Sequence, residues 1–225
     1  MPCSFQNFDS AVAYLIRTLA PRTFLDIGCG AGKYGKMVAQ EAPNCRRIGI
    51  EVEPGYVEQF HLREIYDEIR IGEGLKVLSA NQNESFELAI IGDCIEHMPK
   101  SVGLDLLNYL TYRTQYVIVL APEYSVQGSV NGVDSESHIS VWSEHDFMWH
   151  DRWAWDNCFT ISTFVLRGYP HAAVDLDKLI DGINSAQVPL TDFYGKNTVR
   201  PAAFKKQIRL RQDVMDGKPH NYRYL

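Results

Sequence analysis

Residues Thr23-Phe24-Leu25-Asp26-Ile27-Gly28-Cys29-Gly30-Ala31-Gly32 contain the strongest functional signal in the chain. A short apolar segment includes an acidic residue, three glycines follow at alternate positions, and helix-forming residues continue to Gln40. Glycines in such a turn let bare backbone approach a ligand, and the following helix directs its N-terminus at that ligand. The pattern therefore predicts a strand, a glycine turn and a helix that together bind a small molecule.

The rest of the chain repeats this alternation of strand and helix. The predicted strands are residues 23–27, 47–52, 68–71, 86–92, 116–120, 159–166 and 203–211. The predicted helices are residues 8–19, 33–41, 54–66, 75–78, 101–113 and 174–183, with a short one that begins at Glu144. Strands that alternate with helices form parallel sheets with right-handed crossovers, and ligands bind beyond the carboxyl ends of these strands. We therefore predict an α/β fold with a central, mostly parallel, seven-stranded sheet flanked by helices.

Length and composition allow one sizeable core, because the chain has 225 residues of which 45% are hydrophobic. We expect a single domain over residues 1–225. A polar, glycine-containing loop at about 121–145 is predicted to act as a substrate lid, since long loops in compact domains are usually functional or mobile. A C-terminal extension is expected at about 169–225.

Charge is unevenly distributed along the chain. The formal net charge is −6, and residues 196–225 hold eight Lys/Arg and two Asp, so the tail carries +6 and the remainder −12. Such a tail can contact a phosphate-bearing substrate, nucleic acid or the acidic body of the same protein. We favour contact with the body, and the acidic body argues against a nucleic-acid partner.

Cysteine usage and the N-terminus indicate the compartment. The five cysteines are odd in number and form no C-x-x-C pair, which argues against a disulfide framework and against a zinc site. No basic segment followed by an apolar run begins the sequence, and no apolar stretch approaches 18 residues. We therefore predict a cytoplasmic protein without a membrane partner.

The spacing of the glycines excludes two common nucleotide-binding motifs. A dinucleotide fingerprint G-x-G-x-x-G that starts at Gly28 needs a glycine at position 33, which is Lys33. A phosphate-binding P-loop needs Ser or Thr after its lysine, whereas Tyr34 follows here.

The pattern Asp26-x-Gly28-x-Gly30-x-Gly32 instead resembles the first motif of the class I S-adenosylmethionine-dependent methyltransferases. The similarity extends over residues 23–150, where further motifs follow in the family's order. It implies the Rossmann-like methyltransferase fold and S-adenosyl-L-methionine as the cofactor. This cofactor carries an amino acid, a ribose and an adenine around a sulfonium, and it has no phosphate.

The resemblance also implies which residues contact each part of the cofactor. Asp26 supplies negative charge near the ammonium group, directly or through water. Glu51 is placed to accept hydrogen bonds from both ribose hydroxyls, and Glu73 resembles the acid that faces the adenine amino group. Asp93 belongs to the fourth motif, which borders the methionine part and the substrate. The full predicted cofactor set is Asp26, Gly28, Cys29, Gly30, Gly32, Tyr34, Glu51, Val52, Glu73, Gly74, Leu75, Asp93 and Cys94.

Catalysis requires an aligned acceptor and, for a hydroxyl acceptor, removal of a proton. Histidine is the usual base near neutral pH. The turn Asp93-Cys94-Ile95-Glu96-His97-Met98 resembles the D-x-x-E-H-[ML] turn of small-molecule and saccharide-modifying methyltransferases. We predict His138, His97 and Asp93 as catalytic residues and His145 as a helix-surface residue. The alternatives are a structural role for His97 and a role for His138 in holding the loop to the sheet.

The sequence lacks the residues that two other methylation mechanisms require. A metal-dependent catechol-type mechanism needs an Asp-Asp-Asn set that cannot be assembled, and we predict no metal. Amino-group methylation of DNA bases would need N/D-P-P-[YF] where the chain has Asp93-Cys94-Ile95-Glu96. Three tryptophans, Trp149, Trp153 and Trp155, are interpreted as core or interface residues rather than as a wall that stacks on a sugar.

These observations predict methyl transfer from S-adenosyl-L-methionine to a small-molecule acceptor, a sugar or a natural-product intermediate, at oxygen. One alternative is an RNA- or protein-directed methyltransferase that uses the basic tail. Another is a protein that binds S-adenosyl-L-methionine without catalysis. The choice between O-, N- and C-methylation stays open, as does self-association into a homodimer.

Overall fold

An eight-stranded sheet forms the centre of the computed structural model, which describes residues 4–81, 83–123, 126–130 and 132–209. The strands are β1 (Thr23–Ile27), β2 (Arg46–Glu51), β3 (Glu68–Ile71), β4 (Phe86–Gly92), β5 (Thr114–Pro122), β6 (Arg152–Cys158), β7 (Ile161–Arg167), β8 (Pro189–Thr191), β9 (Thr198–Pro201) and β10 (Lys205–Ile208). Their order in the large sheet is β10-β6-β7-β5-β4-β1-β2-β3, while β8 and β9 form a separate hairpin. Strands β1 to β5 are parallel, and β7 is antiparallel to both β5 and β6.

Helices cover both faces of this sheet. They are α1 (Asp9–Leu19), α2 (Lys33–Glu41), α3 (Pro54–Gln59), α4 (Leu62–Ile65), α5 (Gly74–Ser79), α6 (Lys100–Thr111) and α7 (Leu176–Ser185). Short 3-10 turns occur at Ile95–His97, Asp134–Glu136 and Glu144–Phe147. Neighbouring strand residues enter opposite cores: Phe24 joins the cluster with α1, α2 and α7, and Leu25 joins the cluster with α6. Burial on both faces explains why the central strands are continuous apolar runs.

The sheet has eight strands, so the predicted number of seven is wrong. Strand β6 was not predicted, because the tryptophan-rich segment around it carries several charged residues. In the structure Arg152 is 1% exposed and its guanidinium pairs with Asp175 at 3.2 Å, while Trp153 lies in the core. Strand β10 then pairs with β6 at the edge of the sheet, with Lys205 opposite Trp155.

The predicted helix 54–66 is two helices. His61 separates α3 from α4 in a left-handed conformation with φ of 52°. Residues with a Cβ rarely adopt this conformation, and neither glycine nor proline marks the break in the sequence. The break lets Tyr66, just beyond α4, reach the strand core.

The β8–β9 hairpin packs against the N-terminal segment. Asn7 donates a side-chain hydrogen bond to the Thr191 carbonyl at 3.0 Å, and the Gln6 amide donates to the Phe193 carbonyl at 3.3 Å. The rings of Phe5 and Phe193 lie 5.6 Å apart. The β8–β9 hairpin therefore fixes the position of the N-terminal segment.

Two cations in the described part of the basic tail pair with acids of the body. Lys206 contacts Asp177 and Asp181 at 3.0 and 2.8 Å, and Arg200 contacts Asp156 at 2.6 Å. Residues 210–225 of the predicted tail and extension lie outside the described residues. A single domain over residues 1–225 stays a prediction. Among the described helices, none has the length and apolar character needed to cross a membrane.

Candidate active site

A cavity of about 440 Å³ lies at the carboxyl ends of β1, β2, β3 and β4. The strand order reverses between β1 and β4, so the loops that follow these two strands diverge and leave a crevice. The volume falls within the range of small-molecule sites. The predicted site residues that line the cavity are Gly28, Cys29, Gly30, Tyr34, Glu51, Val52, Glu73, Gly74, Leu75, Asp93, Cys94, His97 and His138.

The glycine turn has the backbone that its sequence predicts. Gly28, Gly30 and Gly32 have φ angles of 70°, 47° and 75°, a region that favours glycine. The amides of Gly28 and Cys29 both donate to the Ile50 carbonyl, at 2.9 and 3.2 Å. A Cβ on Gly28 would overlap the side chain of Cys94 in the turn after β4. The two loops of the crevice are therefore in close contact, and Gly32 lies behind the cavity rather than on its wall.

Asp26, like Gly32, does not line the cavity. Its side chain is fully buried, and Oδ2 accepts a 2.5 Å hydrogen bond from the Tyr66 hydroxyl. Burial raises the pKa of Asp26 to about 7, although the Tyr66 bond opposes that rise. Its predicted contact with an ammonium group stays a prediction. In the structure the hydrogen bond from Tyr66 to Asp26 supports the glycine turn from behind.

Glu51 ends β2 with its carboxylate at the cavity wall. Only 4% of the residue is exposed. Oε2 accepts from the Gly30 amide at 2.8 Å, and Oε1 accepts from the Glu53 amide at 2.9 Å. Burial raises the pKa of Glu51, while these amides oppose the rise. Each carboxylate oxygen keeps a further lone pair that can accept from a ligand hydroxyl.

Glu73 lies at the rim of the cavity. Its side chain is 58% exposed, and its carboxylate pairs with Lys76 at 2.8 Å. Gly74 behind it is buried against Ile27. The predicted contact of Glu73 with an adenine amino group stays a prediction, and Lys76 competes for the same oxygen atoms.

Asp93 faces the N-terminal segment. Its Oδ2 accepts from the Phe5 amide at 3.1 Å, and Oδ1 has no partner among the described residues. Burial raises the pKa of Asp93 to about 6, and the charge of Lys33 opposes the rise. Lys33 donates to the Phe5 carbonyl at 2.6 Å and pairs with Asp9 at 2.5 Å. Ser4 and Phe5 consequently form part of the cavity wall. No sequence motif marks these two residues.

Tyr34 is also buried at the cavity, where its ring fills the space above Gly92. A Cβ on Gly92 would overlap this ring, so the last residue of β4 must be small. Burial holds the pKa of the Tyr34 hydroxyl well above its usual value, with Asp93 as the next cause. The tyrosine is therefore a neutral part of the wall.

Glu96, His97 and His138 meet at the wall of the same cavity. The His97 and His138 rings lie edge to face with centroids 4.8 Å apart, and His138 Nε2 is 4.0 Å from Glu96 Oε1. His97 Nδ1 donates to the Ser137 carbonyl at 3.1 Å, and burial lowers the pKa of this histidine. His145 is remote from this group and exposed, as predicted. The sequence motif assigns Glu96 only a structural role, in packing and hydrogen bonding with His97.

The loop after β5 crosses the mouth of the cavity. Gln127, Ser135 and Glu136 line the cavity, and the Tyr56 hydroxyl from α3 donates to Glu136 at 2.9 Å. None of these residues was predicted individually, although they fall within the predicted lid or next to it. The base of the loop is fixed, because the amides of Ile139 and Ser140 both donate to the Glu96 carbonyl.

Known structures share this fold. A SAM-dependent methyltransferase from Archaeoglobus fulgidus aligns with a TM-score of 0.53 and 14% identity over 71% of this chain and 90% of its own. The N-terminal domain of EvdMO1, solved with SAH and D-fucose, aligns with a TM-score of 0.52 and 12% identity. The alignment covers 72% of this chain and 83% of the EvdMO1 domain. A provisionally assigned O-methyltransferase from Nostoc punctiforme aligns with a TM-score of 0.53 and 14% identity. The alignment covers 72% of this chain and 56% of the Nostoc protein.

These likenesses show the fold. The chain has the Rossmann-like methyltransferase fold that the sequence predicts, with an eighth strand. It spans only about half (56%) of the Nostoc protein. No family model matches the sequence. No curated protein matches it significantly.

Proposed function

We propose that this chain transfers a methyl group from S-adenosyl-L-methionine to a hydroxyl group of a small molecule. The observation that carries the proposal is Glu51, a buried carboxylate at the end of β2 that faces the same cavity as the glycine turn and His138. One cavity thus offers hydrogen-bond acceptors for a ribose at one side and imidazoles at the other.

The residues present fit the cofactor. Gly28 and Gly30 have positive φ angles, a Cβ on Gly28 would overlap Cys94, and the buried oxygen Oδ1 of Asp93 has no partner among the described residues. Glu51 would hold the ribose, the Gly28–Gly30 backbone and Asp93 the amino-acid part, and Gly74 with Leu75 the base. When bound, the cofactor supplies an electrophilic methyl group on a sulfonium.

The acceptor end would be formed by His97, His138 and the loop after β5. These residues would surround the reacting oxygen and receive or direct its proton. Burial lowers the pKa of His97, so this imidazole is neutral at pH 7. The loop that carries Glu136 acts as the lid, with Tyr56 as its contact on α3.

A sugar or natural-product intermediate is the proposed class of acceptor. A cavity of about 440 Å³ suits a small molecule, and EvdMO1 was solved with D-fucose. The described tail residues Lys206 and Arg200 pair with acids of the body, so their charges are already neutralised and are not offered to RNA.

Calorimetric titration with the cofactor and with SAH tests the proposal, with ATP and NAD as control ligands. We expect binding of the first two only. Glu51→Gln should weaken SAH binding about tenfold, because a neutral amide replaces a buried acceptor of two hydroxyls, whereas Glu58→Gln on the exposed side of α3 should leave it unchanged. The absence of SAH binding to the wild-type chain would refute the proposed function. Transfer of labelled methyl groups to a panel of sugars and phenols then identifies the acceptor.

A further inference from the structure

We propose that Glu96, His97 and His138 bind a divalent transition-metal ion at the acceptor end of the cavity. A carboxylate oxygen and one ring nitrogen from each histidine lie within 4.8 Å of one another. All three residues line the cavity. Two imidazoles and one carboxylate form a donor set that first-row divalent ions accept in proteins, with further positions open to water or substrate.

The hydrogen bond of His97 prepares this residue as a ligand. A carbonyl oxygen can only accept, so the 3.1 Å contact with the Ser137 carbonyl requires the proton on Nδ1. Nε2 then carries the lone pair. Histidines that bind metals commonly donate their other ring N–H to a backbone carbonyl in this way, which fixes the tautomer and the ring orientation.

Glu96 supplies an independent reason for a cation. The residue is 1% exposed, and Oε2 has no hydrogen-bond partner among the described residues. Its other oxygen lies 4.0 Å from His138 Nε2, which is beyond hydrogen-bond distance. A buried carboxylate oxygen without a hydrogen-bond partner costs free energy, and a cation can satisfy it. A bound cation would neutralise Glu96 and fill the gap between the three side chains.

The geometry needs only small movements to close around an ion. Metal–donor bonds of about 2.0–2.2 Å in a tetrahedral site place donor atoms about 3.4 Å apart. Side-chain rotations that move each donor atom by about an ångström would therefore bring the three donors to the separations of a metal site. The backbone is already fixed, because the amides of Ile139 and Ser140 bond to the Glu96 carbonyl at 2.9 and 3.1 Å. This pair of bonds ties the segment that follows His138 to the turn that carries the other two ligands.

The consequence for the reaction rests on the proposed function. An acceptor hydroxyl bound at an open coordination position has a lowered pKa, as metal-bound water has. Its O–H bond then breaks heterolytically, the electron pair stays on the oxygen, and the proton passes to solvent water. The two histidines would thus act as ligands, and the ion would do the work that the sequence assigned to a histidine base.

Metal binding can be tested apart from methyl transfer. Protein stripped with a chelator is exposed to Co²⁺, Mn²⁺ or Zn²⁺, desalted and analysed for metal content, and the visible absorption of the Co²⁺ form reports its coordination. We expect about one equivalent of metal and Co²⁺ bands typical of mixed nitrogen and oxygen ligands. Glu96→Gln and His138→Asn should each bind at least about tenfold more weakly, whereas His145→Asn, on an exposed turn, should bind as the wild type does.

Circular dichroism and SAH titration on the same variants show that they are folded. Retained stoichiometric binding in Glu96→Gln and His138→Asn would overturn the metal site, as would the absence of binding in the wild type. Methyl transfer that persists at full rate in excess chelator would overturn its catalytic role and leave the proposed function intact. Metal binding without SAH binding would have the opposite meaning, since it would support the site and refute the methyltransferase.

Discussion

The Tyr66 hydroxyl donates a 2.5 Å hydrogen bond to Oδ2 of Asp26, and the same hydroxyl accepts from the Gly35 amide at 3.2 Å. The two side chains come from positions forty residues apart and are both buried. The tyrosine therefore joins the end of α4 to β1 and to the first turn of α2. The Tyr66 hydroxyl therefore holds both the strand before the glycine turn and the helix after it.

Tyr66→Phe should destabilise the protein and loosen the turn. The substitution leaves Asp26 Oδ2 and the Gly35 amide without their buried partner, which costs about 1–3 kcal/mol of unfolding free energy. Urea denaturation measures this loss, and SAH titration should show weaker binding. Tyr112→Phe is the matched control, since Tyr112 is 65% exposed. Equal stability of the two variants would contradict a structural role for the Tyr66 hydroxyl.

The stability of the chain should fall as pH rises from about 4 to about 7. Burial raises the pKa of Asp26 from 3.8 to about 7 and that of Asp93 to about 6. A raised pKa means that the folded state holds a proton that the unfolded state has released. The resulting stability is fully present below the unfolded pKa and is lost as pH rises through the folded pKa.

Denaturation at constant ionic strength between pH 4.5 and 7.5, with a chelator present, measures this slope. Asp26→Asn, which cannot titrate, should have a shallower slope than the wild type. Asp105→Asn, at an exposed position on α6, should retain the wild-type slope. Parallel curves for Asp26→Asn and the wild type would show that Asp26 is not protonated in the folded protein.

Gly28→Ala should abolish SAH binding and cost more than about 2 kcal/mol of stability. The new Cβ would require φ of 70° and would overlap the Cys94 side chain. Gly128→Ala is the control within the same cavity region, because a Cβ there meets nothing within 4 Å. Thermal unfolding and calorimetry measure the two effects, and a fully active Gly28→Ala variant would show that the turn can move away from β4.

Tyr56→Phe should speed the release of SAH about two- to tenfold. The hydroxyl contributes one hydrogen bond between α3 and the Glu136 carboxylate of the lid, worth about 0.5–1.5 kcal/mol. Stopped-flow displacement measures the dissociation rate, with Tyr112→Phe as the control. An unchanged rate would mean that the lid does not limit release.

Local chemistry made much of the fold predictable. Strands β1, β3 and β4 match their predicted limits, since a glycine or acidic turn follows each of them. Glycine permits the positive φ angles found at Gly28, Gly30 and Gly32. The capping box of Ser143 and Asp146 is also present, as its four-residue pattern predicts.

Long-range packing decided what could not be predicted. Arg152 is acceptable in a buried strand only because Asp175 lies beside it in the folded chain. Phe5 reaches the cavity because a hairpin nearly two hundred residues away holds the N-terminal segment in place. The Glu96–His97–His138 group forms only when the loop after β5 folds back onto the turn after β4.

The contact between the β8–β9 hairpin and residues 4–8 has a consequence during synthesis. A nascent chain that has emerged as far as β7 already holds every strand between β1 and β7, yet the wall formed by Ser4 and Phe5 still lacks the hairpin that fixes it. The ribosome must release residues up to about 201 before this wall is complete. Ligand binding should therefore begin only after this hairpin has emerged from the ribosome.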